Sequence, residues 1–461
     1  MTASKVFPLI AILAAQGVLP WSSYAADMQL QVQAAPANQT SVSPTGKLLT
    51  IEDAVRIGLD DHPRIKSANE RIGSQQAVLG QQMSAYYPTI ILSNLYRTGT
   101  ASGTTGVSPT GVDFFQSQAT FNMTLYNFGK REGNVQAARE TLDATKEDYA
   151  TTTLDTILAI KQAYYVYLGS QAIVNVRKDT VHNRELLVRQ AQGFFEVGTR
   201  ARIDVARAEA NLYSAQADLI AAENAVKIAW VTLRNAMGSP RLAEQPVAQD
   251  SPEVVLSMNL AEARDIAFDS RPELKSFDAQ RRASDQLIAV ARRSHLPDII
   301  FDASYGRRHV SNDNGLNTFP LQPAWQVQLS LVVPIFDGFR TTNRVEETLH
   351  NYYNVKDQEE DRRQQIALDV EQSYLRVVET QERIKATESA AKAAKENVDL
   401  ARGRYEVGVG SIIEVTDAET LYTDAQTTYI RTVYDYKIAD AQLARAMGSN
   451  RVAVLKPGSI K

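Results

Sequence analysis

The sequence predicts a mainly α-helical chain that carries membrane β-structure: long coiled-coil helices, plus four strands given to a barrel shared between copies. Three observations predict it. The chain is internally duplicated, each copy holds two stretches of alternating polarity, and each copy then enters a very long heptad-patterned helix.

Lys5 precedes an apolar run over residues 6–19, and Ser23-Tyr24-Ala25 puts small residues at the −3 and −1 positions of a cleavage site. Residues 1–25 are therefore expected to be a signal peptide, cut after Ala25. The run is too short, and too interrupted by Pro8 and Gly17, for a membrane anchor. Residues 26–48, rich in Gln, Ala, Pro and Ser, read as an extended segment. Nothing downstream makes an apolar run long enough for a membrane helix, so membrane insertion requires a barrel.

Composition narrows the chemistry. With no cysteine, the chain has no disulfide, thiol nucleophile, thiolate metal site or lipid-bearing cysteine after the cut. The five histidines (His62, His182, His295, His309, His350) share no ligand spacing, so no metal or cofactor is expected. No phosphate loop or nucleophile motif is present, and no enzyme is expected. A net charge of −4 gives no electrostatic case for nucleic acid.

The duplication sets the domain plan. Residues 51–66, IEDAVRIGLDDHPRIK, return at 260–275 as LAEARDIAFDSRPELK, an offset of 209 that becomes 210 beyond the strands. Phe195-Glu196-Val197-Gly198 answers Tyr405-Glu406-Val407-Gly408, and Ala236-Met237-Gly238-Ser239 answers Ala446-Met447-Gly448-Ser449. The repeats are placed at 49–238 and 259–449, with a proline-marked linker at 239–258 and a tail at 450–461.

Each repeat opens on a short helix, begun at Thr50 with Asp53 or at Asn259 with Glu262, both spaced as capping boxes. Pro63 and Pro272 start a second helix, and Pro88 and Pro297 end it. Strands follow. Ala119, Phe121, Met123 and Leu125 alternate with Gln118, Thr120, Asn122 and Thr124; Trp325, Val327, Leu329 and Leu331 alternate with Gln326, Gln328 and Ser330. The partner stretches begin after Pro88 and Pro297, across loops expected at 99–113 and 309–323. Each strand is about ten residues, enough to cross a bilayer when tilted.

The long helices carry Ile160, Tyr167, Val174, Val181, Val188 and Phe195, with Val370, Val377, Ile384, Ala391, Val398 and Tyr405 answering them. Beyond each tight turn a second seam runs, Val205, Leu212, Leu219, Val226, Leu233 with alanines three residues on, and Val415, Tyr422, Tyr429, Tyr436, Leu443 in the second copy. The helix at about 130–194 should reach roughly 95 Å, and the helices at about 200–238 and 64–87 roughly 60 and 36 Å. Stacked end to end, those two match the long one. Four strands cannot close a barrel, and an open edge is not tolerated in lipid, so the chain must oligomerise; three copies give twelve strands.

Over residues 48–449 the sequence resembles the TolC family of outer-membrane efflux and secretion ducts. The resemblance rests on the two turns, Phe195-Glu196-Val197-Gly198 with Ile203-Asp204-Val205 and Tyr405-Glu406-Val407-Gly408 with Ile413-Glu414-Val415, on the corner 334–340 (PIFDGFR), and on the duplication. It implies a homotrimer in outer-membrane lipid, with a twelve-stranded barrel and a long periplasmic tunnel of helices. Its expected partners are a periplasmic adaptor protein and an inner-membrane RND or ABC transporter, and its cargo drugs, other small molecules or proteins. The family's aperture carboxylates fall on Glu414 and Asp417, which share a helix face at i, i+3; Ser411 with Glu414 also has capping-box spacing. The closing latch falls on Asp204 and Tyr405, with Tyr405 also continuing the heptad seam. The latch arginine of the family is Gly410 here, leaving Arg200 or Arg202 to supply charge. Val197, Gly198, Val407 and Gly408 are the expected adaptor-docking tips, and the glycines are expected to end their helices in left-handed conformation.

Two other classes fit the sequence less well. A stand-alone diffusion porin would devote the chain to strands, and a periplasmic coiled-coil adaptor would need a separate β domain and usually a single helical hairpin.

Overall fold

A computed structural model describes residues 48–101, 110–248, 258–312 and 321–449. The expected signal peptide, nearly all of the extended segment, linker residues 249–257, the hairpin tips 102–109 and 313–320 and the tail 450–461 lie outside the described residues.

The order is α1 (Ile51–Asp61), α2 (Pro63–Met83), β1 (Thr89–Ala101), β2 (Thr110–Tyr126), α3 (Lys130–Glu196) and α4 (Arg202–Ala236), then α5 (Leu260–Ser270), α6 (Pro272–Arg292), β3 (Asp298–Asn312), β4 (Gln322–Val332), α7 (Arg340–Glu406) and α8 (Ile412–Ala446). Thr50 caps α1 through the Asp53 N–H, and Asn259 closes a reciprocal capping box with Glu262 on α5. Proline takes the first turn of both α2 and α6, where its missing N–H costs nothing. Both helices stop a few residues before their following proline, tightening into a single 3₁₀ turn (Ser84–Tyr86, Arg293–His295). Tyr87 and Leu296, which precede the prolines, are extended, because a proline ring disfavours the helical region for the residue before it.

The four strands form one antiparallel sheet in the order β1-β2-β3-β4. Three of them clearly outrun the expected ten residues, with 13 in β1, 17 in β2 and 15 in β3, and all four extend into what the sequence suggested were loops. The ladder needs only backbone partners, so pairing continues past the point where alternation of side chains lapses. Register puts the apolar sets on one face. Ile90 pairs with Phe121, Phe121 with Ala303, and Ala303 with Val327; Asn122, Asp302 and Gln328 line up on the other. Trp325, Val327, Leu329 and Leu331 are all exposed on the apolar face. That is the pattern of a sheet meeting hydrocarbon on one side. Among the described residues no helix is long and apolar enough to cross a membrane.

Helices α3 and α7 each run 67 residues, about 100 Å. α3 lies between α2 and α4 on one side and α6 and α8 on the other, while α7 packs mainly on the second repeat's helices and meets α3 near the turn. The short helices meet end to end, as their lengths suggested. Gly238, just past α4, sits so close to the start of α2 that a Cβ there would stand 2.9 Å from the His62 Cα; Gly448 past α8 abuts Arg271 at 3.0 Å. Both are in the left-handed region (φ 67° and 68°), and each closes a paired C-terminal turn: Ser239 and Ser449 donate to Arg234 and Ala444. A side chain is excluded twice over, by sterics and by φ.

The two junctions are built differently. The first is apolar: Ile160, Tyr164, Tyr167, Trp230 and Leu233 pack with Leu49 and Val247. Leu49 bridges Val247 in parallel, and the Tyr164 hydroxyl lies 3.1 and 2.8 Å from the Leu49 and Ala248 carbonyl oxygens. This lays the start of the expected linker back against α3. The second has an apolar core of its own, Ile366, Val370, Leu443 and Met447 with Ala263 and Ala267, and adds an ionic network. Buried Glu273 is met by Arg271 (2.9 Å) and Arg445 (2.7 Å), which reach on to Asp369 and Asp155. Burial opposes ionisation of Glu273, but the two guanidinium groups outweigh it and hold the carboxyl below its usual range. Asp155 is on α3, so the network ties the repeats together.

At the first junction His62 caps α2, its Nδ1 accepting the Arg64 N–H at 3.1 Å. Burial, then the Arg64 charge, lower its pKa. The folded state holds the neutral ring, so this stability is present above about pH 6.5 and is lost as pH falls through the depressed folded value. Thermal unfolding of the wild type should weaken below that pH, and His62→Asn, which keeps a capping group but does not titrate, should flatten the dependence. Equal pH slopes for the two would show that His62 does not set it.

Candidate functional site

The two helical hairpins turn at the end of the molecule away from the strands. Each long helix ends the same way. Thr199 donates to the Phe194 carbonyl and Gly198 to Phe195; Val409 donates to Arg404 and Gly408 to Tyr405. Gly198 and Gly408 hold φ of 73° and 85°, as the sequence suggested. A shared core from all four helices joins the turns: Leu187, Val188 and Ala191 with Ala208, Val398, Tyr405, Ile412 and Val415. Beyond it the tips are apolar and bare, with Val197 and Val407 70% and 74% exposed.

Glu414 and Asp417 lie exposed on the first turns of α8. Ser411 caps that helix, its Oγ accepting the Glu414 N–H at 3.2 Å. The expected capping box is only half formed: the Glu414 carboxylate turns to Arg404 Nε at 3.2 Å. A cation at the end of α7 competes better for a carboxylate than a backbone N–H does. With both partners about half exposed, the pair is worth only a few tenths of a kcal/mol.

Tyr405 is fully buried and stacks edge-to-face on Phe194, ring centroids 5.6 Å apart. Among the described residues its hydroxyl has no hydrogen-bond partner. Asp204 acts on it through charge: burial first, then Asp204, push the phenol pKa up, and Arg200 opposes them. Arg200, rather than Arg202, crosses between the hairpins. It lies 5.4 Å from the Tyr405 ring centroid and donates to the Gly408 and Gly410 carbonyls at 3.0 and 2.7 Å. A side chain at Gly410 would be crowded, since a Cβ would stand 3.0 Å from backbone atoms of Arg404 and Tyr405.

One set of residues escaped the sequence. Arg184 on α3 and Glu419 on α8 are both buried and meet at 3.2 Å; Arg402 on α7 adds a contact to Glu419 at 2.7 Å. Arg184 also donates to the Thr416 carbonyl (3.1 Å) and the Thr420 hydroxyl (3.0 Å). Burial lowers the Arg184 pKa, with Glu419 opposing, then Arg402 lowering and Asp417 opposing. The bridge spans the two repeats just above the tips. The one available signal was positional: Arg184 falls in the heptad column of buried Ala163 and Ala191. Among the described residues no group of histidines and carboxylates is arranged to hold a metal ion.

A one-faced apolar sheet joined to helical rods of this length defines an outer-membrane channel architecture. The family profile for "Outer membrane efflux protein" matches residues 56–239 and 263–449, and the chain belongs to that family. It is similar to the outer membrane protein TolC of Vibrio cholerae, 25% identical over 398 residues, covering 85% of this chain and 88% of that one. It is also similar to the protein CyaE of Bordetella pertussis, 26% identical over 421 residues and covering 86% and 84%. The solved structure of the outer membrane protein VceC of Vibrio cholerae shares the fold, with a TM-score of 0.74 at 18% identity, covering 87% of this chain and 96% of that one.

Glu419→Gln should cost about 3 kcal/mol, because it leaves the buried Arg184 without its counter-charge. Denaturant midpoints read this directly. Arg184→Met combined with Glu419→Leu should recover most of the loss; an unchanged midpoint for Glu419→Gln would show that the pair carries no stability.

Proposed function

We propose that three copies of this chain close into an outer-membrane exit duct, exported through a signal peptide at 1–25 and built from repeats 49–238 and 259–449. The duct receives small molecules or proteins from an inner-membrane RND or ABC transporter through a periplasmic adaptor. It is a passive conduit with no catalytic step.

The observation that carries this is that sheet and helices are open at corresponding ends. β1 and β4 are the edges of the sheet. In the helical row the edges are α2 with α4, and α7. Both helical edges carry bare apolar residues: Ile203, Tyr213, Ile220 and Val231 on α4, and Leu368, Leu375 and Leu400 on α7. One edge differs from the other, so the contact between copies is head-to-tail, which closes a ring when the rotation permits. Helical hairpins that fill most of the chain disfavour a porin.

In this reading Glu414 and Asp417 make stacked acidic rings at the periplasmic gate, which favour and hold cations. Asp204, Tyr405 and Arg200 join neighbouring hairpins in the closed state. Val197-Gly198 and Val407-Gly408, bare at the tips, receive the adaptor.

Because the chain has no cysteine, a Val231→Cys and Val378→Cys pair reports only the contact between copies. Oxidation should give a trimer-sized species in the outer-membrane fraction. Recovery of uncrosslinked chain from the soluble periplasm would sink the duct. Alanine at Glu414 and Asp417 should weaken block by divalent cations in planar bilayers about tenfold or more, as expected when paired charges are removed; unchanged block would remove them from the gate.

A further inference from the structure

The polar face of the sheet carries a charge arrangement that the helices do not foreshadow. On β2, Phe114 pairs with Arg97 of β1 and Val310 of β3, while Gln116 pairs with Leu95 and Arg308. Cross-strand partners share a face, so Arg97 and Arg308 stand on the same side as Gln118, Asn122, Gln326 and Gln328. That side is opposite the exposed Trp325, Val327 and Leu329 and therefore lines the lumen of a closed barrel.

Strand spacing puts the two arginines about 10 Å apart across the sheet and about 7 Å along it. Both side chains are exposed, and among the described residues neither enters an ion pair. The nearer acid on this face, Asp302, belongs to another level, and Asp298 lies lower still, paired with Lys130. Asn122 pairs with both Thr89 and Asp302, placing Asp302 at the foot of β1, where Asn122 Nδ2 donates to it at 2.6 Å. Arg97 is about 26 Å higher. A fixed guanidinium without a counter-ion, in a water-filled pore walled by low dielectric, favours anions, and arginine offers forked donors matched to phosphate and carboxylate.

We propose that Arg97 and Arg308 form a basic collar in the outer half of the lumen that takes the anionic groups, carboxylate or phosphate, of passing cargo. This rests on the duct reading. With the acidic pair at the tips, it makes the duct cation-favouring where cargo enters and anion-favouring where it leaves.

The test is the reversal potential of purified protein in planar bilayers under a KCl gradient near 10 mM, where the Debye length of about 30 Å spans the pore. All channels carry Glu414→Gln and Asp417→Asn, so the tip acids do not set the ratio. Adding Arg97→Gln and Arg308→Gln should raise the potassium-to-chloride permeability ratio about twofold or more. Each single exchange should give part of the shift, which keeps the test open if the double variant does not assemble. Arg97→Lys with Arg308→Lys should restore the ratio, and Asp302→Asn should lower it. Conducting Gln variants with an unchanged ratio would overturn the collar and leave the duct standing. Absence of any conductance from the wild-type chain would overturn the duct and the collar with it.

Discussion

No backbone polar group can be left unpaired in hydrocarbon, and this chain by itself leaves two rows of them unpaired. Among the described residues the outer edges of β1 and β4 have no partner, and the sheet has four strands. The rest of the design follows from that constraint. Repeating one unit twice gives a sheet and a row of helices that start and stop together, so in the proposed duct a single head-to-tail contact completes both layers. The end-to-end meeting of α4 with α2, and of α8 with α6, serves the same purpose. It lets one 67-residue helix be flanked by a line of similar length, which keeps a rod of about 100 Å packed along its whole course.

Close packing of rods leaves little room for polar groups, yet charge is buried at two levels. Glu273 between Arg271 and Arg445, and Glu419 between Arg184 and Arg402, are both met from more than one helix. Buried pairs of this kind are poor sources of net stability compared with apolar packing, but they are sensitive to register. A helix sliding by one turn would strand a charge. In rods whose alanine and β-branched seams repeat every seven residues, such a device distinguishes the correct register from its neighbours. The second repeat holds Glu273, Arg271, Arg445, Glu419 and Arg402, while the first supplies single partners, Asp155 and Arg184. The first repeat's own junction is apolar, around Tyr164, Tyr167 and Trp230. The copies share a backbone plan and divide the polar work unequally.

At the tips, small shifts in geometry decide which residues meet. Gly410 packs against the end of α7, and Arg200 reaches its carbonyl from the other hairpin. The cation therefore comes from the first repeat instead of the second. Arg404 draws Glu414 away from its capping position, leaving Asp417 as the member of the acid pair without that pairing. In the proposed duct the two ends then carry opposite character, acidic rings below and the Arg97–Arg308 collar above.

The sequence by itself determined the repeat, the periods and the ends of the helices. These are local properties: the heptad runs, the alternation along β2 and β4, Pro88 and Pro297, and the glycines at 198 and 408 each act within a few residues. The family was legible for the same reason, since its turns and corner are short contiguous motifs. Only the tertiary structure decided the strand lengths, because ladder pairing is set by the partner strand and not by the side chains of the strand itself. It alone placed Arg184 against Glu419, 235 residues along the chain, and chose Arg200 over Arg202. It also showed Gly238 and Gly448 to be steric necessities at a junction between helices. Each of these depends on what another part of the chain brings within a few ångströms, and no local pattern encodes that distance.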